Sequence, residues 1–386
     1  MIQSIEIKNF KSIKSKYFPL RNLSVVMGMN GQGKSSFIQS LLLLRQSEKL
    51  NEGILKLNGG ENGLVNIGTT KDARYQYSKE EENVSIAIQF KETEPYLMEF
   101  LYEIDADVLK QKMFLADHFE NYLEQHRGES LFTNKFQYLN AQRIEPKTTN
   151  IGSYSNVVEA NDLGKYGQYT AHYIELRGNE EVVLNNILHE GSKTYDEVTK
   201  KEFVNKTLIN QINLWLGEIS PGVNVRTTKV TSELILLEYV FKQPNFGNTN
   251  RFKPENVGFG ISYALHVVTA LLKAKPGDLL VIENPESHIH PRGQAELGKL
   301  IALTAQNDVQ IIIETHSDHI INGIRVAVKE KPELKDRTIL FYFEKVVTES
   351  EQYSKITNIQ LDHKGELSEY PKNLLEEWSN QILKLL

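Results

Sequence analysis

The chain has 386 residues, of which 40% are hydrophobic and 24% charged, and its formal net charge is −6. This length allows one large domain or two moderate ones, and the charge provides no overall basic field for nucleic acid or an anionic membrane. The absence of cysteine excludes disulfides, thiolate nucleophiles and Cys-ligated zinc. No stretch reaches the roughly 18 to 20 apolar residues of a membrane helix, and the alternating start MIQSIEIKNF does not resemble a signal peptide. We therefore expect a cytoplasmic protein with no membrane partner.

The first hundred residues show strand and helix patterns in turn. Ile2 to Phe10 is expected as an edge or half-buried strand, and LSVVMG (23–28) as a short buried strand that leads into a glycine-rich loop. The sequence SSFIQSLLLLRQSEKL then has apolar positions at a helical period. SIAIQF (85–90) and the segment around 98–102 indicate further strands.

Residues 105–228 change character. Long polar and helical patterns in VLKQKMFLADHFENYLEQH, EVVLNNILHE and KEFVNKTLINQINLWLGEI predict a mostly helical insertion. Residues 230–242 return to a strand pattern, and GNTNRFKPENVGFGIS is expected as a loop that ends by starting a helix. DLLVIENPE and VQIIIETHSD are typical of buried parallel strands, separated by a helix through GQAELGKLIALTAQ. TILFYFEKV and YSKITNIQL indicate a late hairpin.

The glycine-rich loop MGMNGQGKSS contains a phosphate-binding pattern. Residues 28–35 fit G-x-x-x-x-G-K-[ST], in which backbone amides bind phosphates, Lys34 neutralises their charge and the Ser35 hydroxyl ligates Mg²⁺. The strand before the loop and the helix after it favour this interpretation over a chance match. The predicted ATP-binding residues of the loop are Asn30, Gly31, Gln32, Gly33, Lys34, Ser35 and Ser36.

Three further segments offer partners for this loop. Glu283 follows an apolar strand in LLVIENPESHIHP and is expected to hold Mg²⁺, although a solvated acidic loop has the same pattern. His316 ends the next apolar run and is expected near the γ-phosphate, the alternative being a structural histidine. NVGFGIS (256–262) opens a helix and predicts another anion site, which a simple N-cap at Ser262 explains equally well. The long separation between these segments and the loop implies a core assembled from both ends of the chain.

Taken in order, these motifs resemble the ABC-type ATPases of the SMC/RecF and OLD (overcoming lysogenisation defect) branch. The opening I-x-I-x-N-F-K-S (5–12), P-E-x-H-x-H-P and T-H-S belong to the resemblance. It extends to the stand-alone, often defence-associated OLD-like AAA ATPases of bacteria through GTTKDARY, YLNAQR, LLVIENPESHIHPRGQ and IIIETHSDHIINGIR. The resemblance implies an α/β fold: an ABC-type P-loop ATPase head with a mixed β-sheet core and a mostly helical insertion.

The resemblance also implies ATP and Mg²⁺ as cofactors. In such ATPases the nucleotide lies between two heads, so a homodimer or a higher even oligomer is expected to close around ATP. Asp72 or Gln142 would sense the γ-phosphate and transmit its presence to the lobe between the motifs. The residues that the resemblance adds to the ATP site are Lys11, Ser12, Gly258, Gly260 and Ser262, the last three acting from the second copy.

One departure from the family concerns catalysis. Where the family has Asp-Glu, this chain has Glu283-Asn284, and an amide cannot accept a proton. We therefore expect slow ATP hydrolysis, with Glu283, Glu286 and His316 as catalytic residues and Ser35 and Glu283 as magnesium ligands. About 70 residues follow ETHSD, too few for a Toprim-like nuclease module. The resemblance accordingly implies a separate effector, a nuclease or another toxin, in anti-phage defence or DNA maintenance.

Two other functions remain open at this stage. The first is a metal-dependent nuclease or hydrolase whose candidate ligands are Glu283, Glu286, His288, His290, His316 and His319. The second is a scaffold that binds ATP without turnover. DNA or RNA as a partner is neither indicated nor excluded. The predicted organisation is an N-terminal ATPase lobe (1–104), the helical insertion (105–228), a C-terminal ATPase lobe (229–345) and a tail or cap (346–386).

Overall fold

A computed structural model describes residues 1–61, 63–79, 81–112, 128–197, 200–243, 247–376 and 381–385. The chain divides into two compact units. Unit 1 comprises Met1–Thr133, Thr338–Gln360 and Ser368–Leu386, and unit 2 comprises Asn134–Arg337 and Leu361–Leu367. This division differs from the predicted boundaries, because the expected insertion at 105–228 does not form a unit of its own. Its first part belongs to unit 1 and the remainder to unit 2.

Unit 1 contains an antiparallel sheet. Its strands are β1 (Ile2–Phe10), β2 (Ile13–Pro19), β4 (Ile54–Lys56), β5 (Val84–Phe90), β6 (Tyr96–Leu101) and β7 (Val108–Gln111), in the order β2-β1-β5-β6-β7-β4. β1 pairs with both β2 and β5. It is therefore an interior strand, not the edge strand that the sequence allowed, because the partners on its two sides come from separate parts of the chain.

The rest of unit 1 supports the glycine-rich loop. Strand β3 (Leu23–Met27), buried throughout, runs parallel to β17 (Thr338–Val347), which pairs antiparallel with β18 (Gln352–Ile359). Helix α1 (Lys34–Gln46) follows the loop, and a short helix α2 (Thr70–Ala73) lies further along the chain. Four buried rings, Phe18, Phe37, Phe341 and Phe343, pack together, with Phe18 and Phe37 4.5 Å apart between centroids. The predicted buried strand, helix and late hairpin are confirmed.

Unit 2 contains a parallel sheet. Strand β15 (Leu279–Glu283) pairs in parallel with β8 (Phe136–Leu139) on one side and with β16 (Gln310–Thr315) on the other. The helices α5 (Phe259–Lys273), α6 (Pro291–Ala305) and α7 (Asp318–Glu330) belong to the same unit. The two apolar runs are therefore buried parallel strands, as predicted. Because the three strands are parallel, their carboxyl ends meet at one edge of this sheet.

The remainder of unit 2 is richer in strands than the sequence suggested. The strands are β9 (Thr149–Ile151), β10 (Lys193–Asp196), β11 (Lys201–Val204), β12 (Val223–Lys229), β13 (Leu234–Gln243) and β14 (Gly247–Asn248), and the helices are α3 (Thr170–Arg177) and α4 (Leu208–Ile219). β9 and β12 flank β13, and β10 pairs with β11.

Some segments predicted as helical are strands or short turns. VLKQ forms β7, and EVVLNNILHE forms only 3-10 turns at Asn185–Ile187 and Glu190–Ser192. The expected helix over 113–127 lies outside the described residues. VLKQ is a strand because it pairs with β4 and β6, which come from other parts of the chain.

Candidate functional site

The predicted phosphate-binding loop connects β3 to α1 in unit 1. Gly31 and Gly33 have φ values of 74° and 95°, in the left-handed region that favours glycine. α1 begins at Lys34, directly after Gly33, so the amides of its first turn face the loop. A helix start that follows a glycine-rich turn is a binding site for anions, because unpaired amides and the helix dipole both favour negative charge.

Lys34 is held inside this loop. Its side chain is 3% exposed, and its Nζ donates to the carbonyl oxygens of Gly28 and Met29, each at 2.8 Å. The ammonium group therefore lies on the concave side of the loop, where an incoming phosphate oxygen can compete with these carbonyls. Asn30 and Ser35 are both exposed in the loop and at the start of α1.

A cavity of about 480 Å³ adjoins the loop within unit 1. Its wall is formed by the β1–β2 turn, the loop, the α2 segment and the β17–β18 hairpin. The residues that line it are Lys11, Ser12, Gly31, Ser36, Lys71, Asp72, Arg74, Tyr75, Gln76, Lys345, Gln352, Tyr353 and Ser354. The cavity thus brings Lys11 and Ser12, predicted to bind ATP, to the same place as two residues of the loop.

Most charges in the cavity are positive. Burial lowers the pKa of Lys11, and the charge of Asp72 partly offsets this effect; Lys11 also donates to Gln39 Oε1 at 2.8 Å. Asp72 accepts the backbone N–H of Thr69 at 2.8 Å and its hydroxyl at 3.0 Å, and these bonds hold the pKa of the carboxyl below its usual value. Asp72 therefore stays ionised and caps α2, and its Oδ2 already accepts both hydrogen bonds from Thr69.

In unit 2, Glu283 ends β15. Tyr138, on the neighbouring strand β8, donates its hydroxyl to Glu283 Oε1 at 2.9 Å, and the backbone N–H of Ala141 donates to Oε2 at 3.2 Å. Burial raises the pKa of Glu283, and these two hydrogen bonds oppose the rise. The carboxylate is fixed in direction, as a metal-binding or proton-accepting group requires.

Arg143 was not predicted as a site residue. It is 3% exposed and donates from one terminal nitrogen to the Glu283 carbonyl at 2.7 Å and from the other to the Asn284 carbonyl at 3.1 Å. Burial lowers the pKa of Arg143 to about 10, while Glu286 and Glu283 act in the opposite direction. Arg143 therefore fixes the backbone where β15 ends and Asn284 turns to a φ of 44°. The signal for it was the polar NAQR directly after the apolar strand FQYL.

Glu286 lies between the ends of two strands. Its Oε1 accepts the backbone N–H of His316 at 2.8 Å, and burial raises its pKa. Its Oε2 and Asn284 Oδ1 are buried and have no hydrogen-bond partner among the residues that the structure describes. The His316 side chain is exposed. The structure thus brings Glu283, Glu286 and His316 to one edge of the parallel sheet, and Gln142 is exposed beside Arg143.

The three residues predicted at the start of α5 differ in their surroundings. Gly258 is exposed at the N-cap position. Gly260 lies so close to His288 that an added Cβ would be 2.4 Å from its carbonyl oxygen. Ser262 is 3% exposed, and its hydroxyl lies 3.1 Å from that of Tyr239. Ser262 is thus part of the interior of unit 2, whereas Gly258 lies on its surface.

The histidines considered as metal ligands have other contacts. His290 caps α6 by accepting the backbone N–H of Arg292 at 3.3 Å. His288 packs against the rings of Phe259 and Tyr263, at centroid distances of 5.9 and 5.0 Å. Within the described ranges no group of three His, Cys, Asp or Glu side chains is arranged to hold a metal ion. The predicted Glu and His cluster is therefore not assembled as a ligand set.

A glycine-rich loop between a buried parallel strand and a helix is a feature of P-loop ATPase folds, and so are carboxylates at the carboxyl edge of a parallel sheet. Two sequence comparisons agree. A family model described as "AAA ATPase domain" matches residues 1–213, and one described as "AAA domain, putative AbiEii toxin, Type IV TA system" matches residues 126–322. Each match spans more than half of the chain, which therefore belongs to the AAA ATPase domain family. A family of proteins of unknown function, DUF3696, matches residues 335–385.

The solved structures that resemble this chain include heads of SMC proteins. The Smc head domain with an extended coiled coil bound to the C-terminal domain of ScpA, from Pyrococcus furiosus, has a TM-score of 0.50 at 13% identity, over 100% of this chain and 98% of that chain. The SmcHead bound to the C-winged helix domain of ScpA (TM-score 0.49) and the SMC head domain from Thermotoga maritima (0.42) are each 12% identical and cover 92% of this chain and 98% of theirs. At these identities the first similarity supports the fold alone.

Curated proteins yield no match to this chain. None of the helices in the described part of the chain has the length and apolar character needed to cross a membrane.

Proposed function

We propose that this protein binds MgATP at the loop of residues 28–35 and hydrolyses it slowly. The observation that carries the proposal is the position of Lys34, which is buried in the loop and donates to the carbonyl oxygens of Gly28 and Met29. A buried ammonium group is costly unless it has anionic or dipolar partners. A triphosphate would supply anionic partners for this ammonium group and would also meet the amides at the start of α1.

The adjoining cavity is the proposed place for the nucleoside part of ATP. It continues from Gly31 and Ser36, so a ligand with its phosphates in the loop would extend into it. Lys11 and Lys71 add positive charge near the phosphates, and Tyr353 offers a ring against which a base can stack. The size of the cavity suits a nucleoside.

Mg²⁺, when bound with ATP, neutralises phosphate charge and orients the phosphates for attack by water. This ion prefers oxygen ligands, and the candidates that the sequence offers are the Ser35 hydroxyl in unit 1 and the Glu283 carboxylate in unit 2. The raised pKa of Glu286 and its buried oxygen without a hydrogen-bond partner support Glu286 as the group that accepts the proton of the attacking water. We assign the exposed His316 side chain to the γ-phosphate. Asn284, at the position of the family's glutamate, is consistent with slow turnover.

We further propose that two copies close around ATP and that this state controls a separate effector. Gly258 and Phe259, both exposed at the start of the 15-residue helix α5, support a phosphate contact from the second copy. The matched family description that names a toxin and a Type IV TA system supports a role in toxicity control or defence. The three proposals are separable, because binding, dimerisation and effector control are measured independently.

Lys34→Ala tests the binding step, with Lys91→Ala as the matched control. Lys91 is a 73% exposed lysine of the same unit. We expect Lys34→Ala to weaken MgATP binding by at least about 100-fold, or about 2.7 kcal/mol, in calorimetry, because a charged donor to the phosphates is lost. Lys91→Ala should bind like the wild type. Equal affinities for both variants would refute the proposed site, and tight binding without phosphate release would favour a scaffold without turnover.

Solution mass tests the dimer. The Glu286→Gln variant should retain ATP binding and release phosphate slowly, so its mass with MgATP is expected to double relative to the nucleotide-free protein in light scattering. ADP should leave the mass unchanged. A monomeric mass at saturating MgATP would refute the proposed dimer but would not contradict the proposed ATP-binding site.

A further inference from the structure

A chain of three serine hydroxyls ends on the phosphate-binding loop. Ser36 Oγ lies 3.3 Å from Ser12 Oγ, Ser12 Oγ lies 2.8 Å from Ser354 Oγ, and Ser354 Oγ lies 2.7 Å from the carbonyl oxygen of Gln32. These serines come from α1, the β1–β2 turn and β18, all in unit 1. Ser354 and Gln32 are 322 residues apart in the sequence. The loop is therefore held by a strand from near the other end of the chain.

Ser354 is the donor in its contacts with Gln32 and Ser12. A serine hydroxyl has one proton, and a carbonyl oxygen can only accept. Ser354 Oγ is placed to donate both to the Gln32 carbonyl oxygen at 2.7 Å and to Ser12 Oγ at 2.8 Å, so these two acceptors share its single proton. Ser354 is the member that contacts the loop backbone.

The hydrogen bond from Ser354 to the Gln32 carbonyl also fixes the orientation of the Gly33 N–H. In a planar trans peptide the C=O and N–H groups point in opposite directions, so a carbonyl held by Ser354 makes the Gly33 N–H point away from Ser354. The two serines lie close to Gly33, because a Cβ there would be 2.2 Å from Ser354 Oγ and 2.1 Å from Ser12 Oγ. Ser354 is also anchored from behind, since its own N–H donates to the Ser12 carbonyl at 2.8 Å.

We propose that Ser354 is a positioning residue for ATP binding: it sets the orientation of the Gln32–Gly33 peptide and so aims the Gly33 amide at the phosphates. This inference rests on the proposed function of the loop. It gives a role to the segment that matches a family of unknown function, because Ser354 lies within residues 335–385. The C-terminal hairpin thereby becomes a part of the nucleotide site.

Ser354→Ala is the test, with Ser4→Ala as the matched control. Ser4 is a buried serine of the same unit, 3% exposed, whose hydroxyl donates to Gln89 Oε1 at 3.1 Å. We expect Ser354→Ala to raise the Kd for MgATP about tenfold, which corresponds to about 1.4 kcal/mol. Ser4→Ala and Ser354→Thr, which keeps the hydroxyl on a strand, should stay within about twofold of the wild type. The melting temperatures of the two nucleotide-free alanine variants should agree, since each loses one buried hydroxyl.

Several results would overturn the inference. A wild-type Kd for Ser354→Ala, an equal loss for Ser4→Ala, or no rescue by threonine would each reduce Ser354 to a packing residue. If Ser354→Ala does not fold, Ser354→Cys is the second variant, because a thiol fills the site but donates weakly; a wild-type Kd there would overturn the inference equally. Lys34→Ala distinguishes a failure of the proposed ATP-binding function from a failure of the proposed role of Ser354. If Lys34→Ala binds ATP normally, the function of the loop fails, whereas loss in Lys34→Ala alone refutes only the role of Ser354.

Discussion

Gly33→Ala should destabilise the protein, and the geometry around Gly33 sets the size of the loss in free energy of unfolding. Gly33 has a φ of 95°, and an added Cβ would lie 2.1 Å from Ser12 Oγ and 2.2 Å from Ser354 Oγ. Left-handed backbone costs a residue with a Cβ about 1–2 kcal/mol. Moving the two hydroxyls breaks two hydrogen bonds of about 1 kcal/mol each. The expected loss in free energy of unfolding is therefore about 3–4 kcal/mol.

Gly31→Ala separates the two causes. Gly31 also has a positive φ, 74°, but nothing lies within 4 Å of the Cβ that would be added. This variant should lose only the backbone term, about 1–2 kcal/mol. The difference between the two variants, about 2 kcal/mol, then measures the close approach of the two serines to the loop.

Urea unfolding of the nucleotide-free proteins is the assay, followed by circular dichroism, with hydrogen exchange of the peptides that cover the loop to assign the loss to unit 1. The measurement needs no ATP, so it is independent of the proposed function. Equal stability of the two variants would refute the reasoning, because it would mean that Ser12 and Ser354 do not pack against Gly33.

Further predictions concern the acidic edge of unit 2. Arg143→Met should lower the free energy of unfolding by about 3 kcal/mol, because two carbonyls and the nearby carboxylates lose a buried partner; Arg251→Met, at a 60% exposed arginine, should lose less than about 1 kcal/mol in the same urea titration. Glu286→Gln should slow phosphate release about 100-fold or more in a coupled assay. Burial raises the pKa values of Glu283 and Glu286, so the folded state binds their protons more tightly than the unfolded state does. The contribution of these two groups to the free energy of unfolding should therefore fall as the pH rises from 4.5 through the raised pKa values. Urea titrations across this range should show a weaker pH dependence for Glu286→Gln, and an unchanged dependence would contradict that origin.

The expectations that held came from strong local signals. The run LSVVM has only apolar and small residues beside a glycine-rich pattern, so its strand and the helix after it were predictable. The apolar runs that became β15 and β16 were equally clear. Short polar segments such as VLKQ carried no such signal, because their conformation depends on a distant strand that completes their hydrogen bonds.

The sequence by itself predicted the glycine-rich loop with Lys34 and the strands that end at Glu283 and before His316, because each consists of contiguous residues whose spacing matches one kind of backbone. The type of fold followed from the resemblance to a known family. Only the tertiary structure decided that Arg143 holds the end of β15, that Ser262 is buried against Tyr239 and that Ser354 bonds to the loop. These contacts join residues separated by 23 to 322 positions. A hydrogen bond of this kind has no local periodicity, so it exists only once strands and helices have packed.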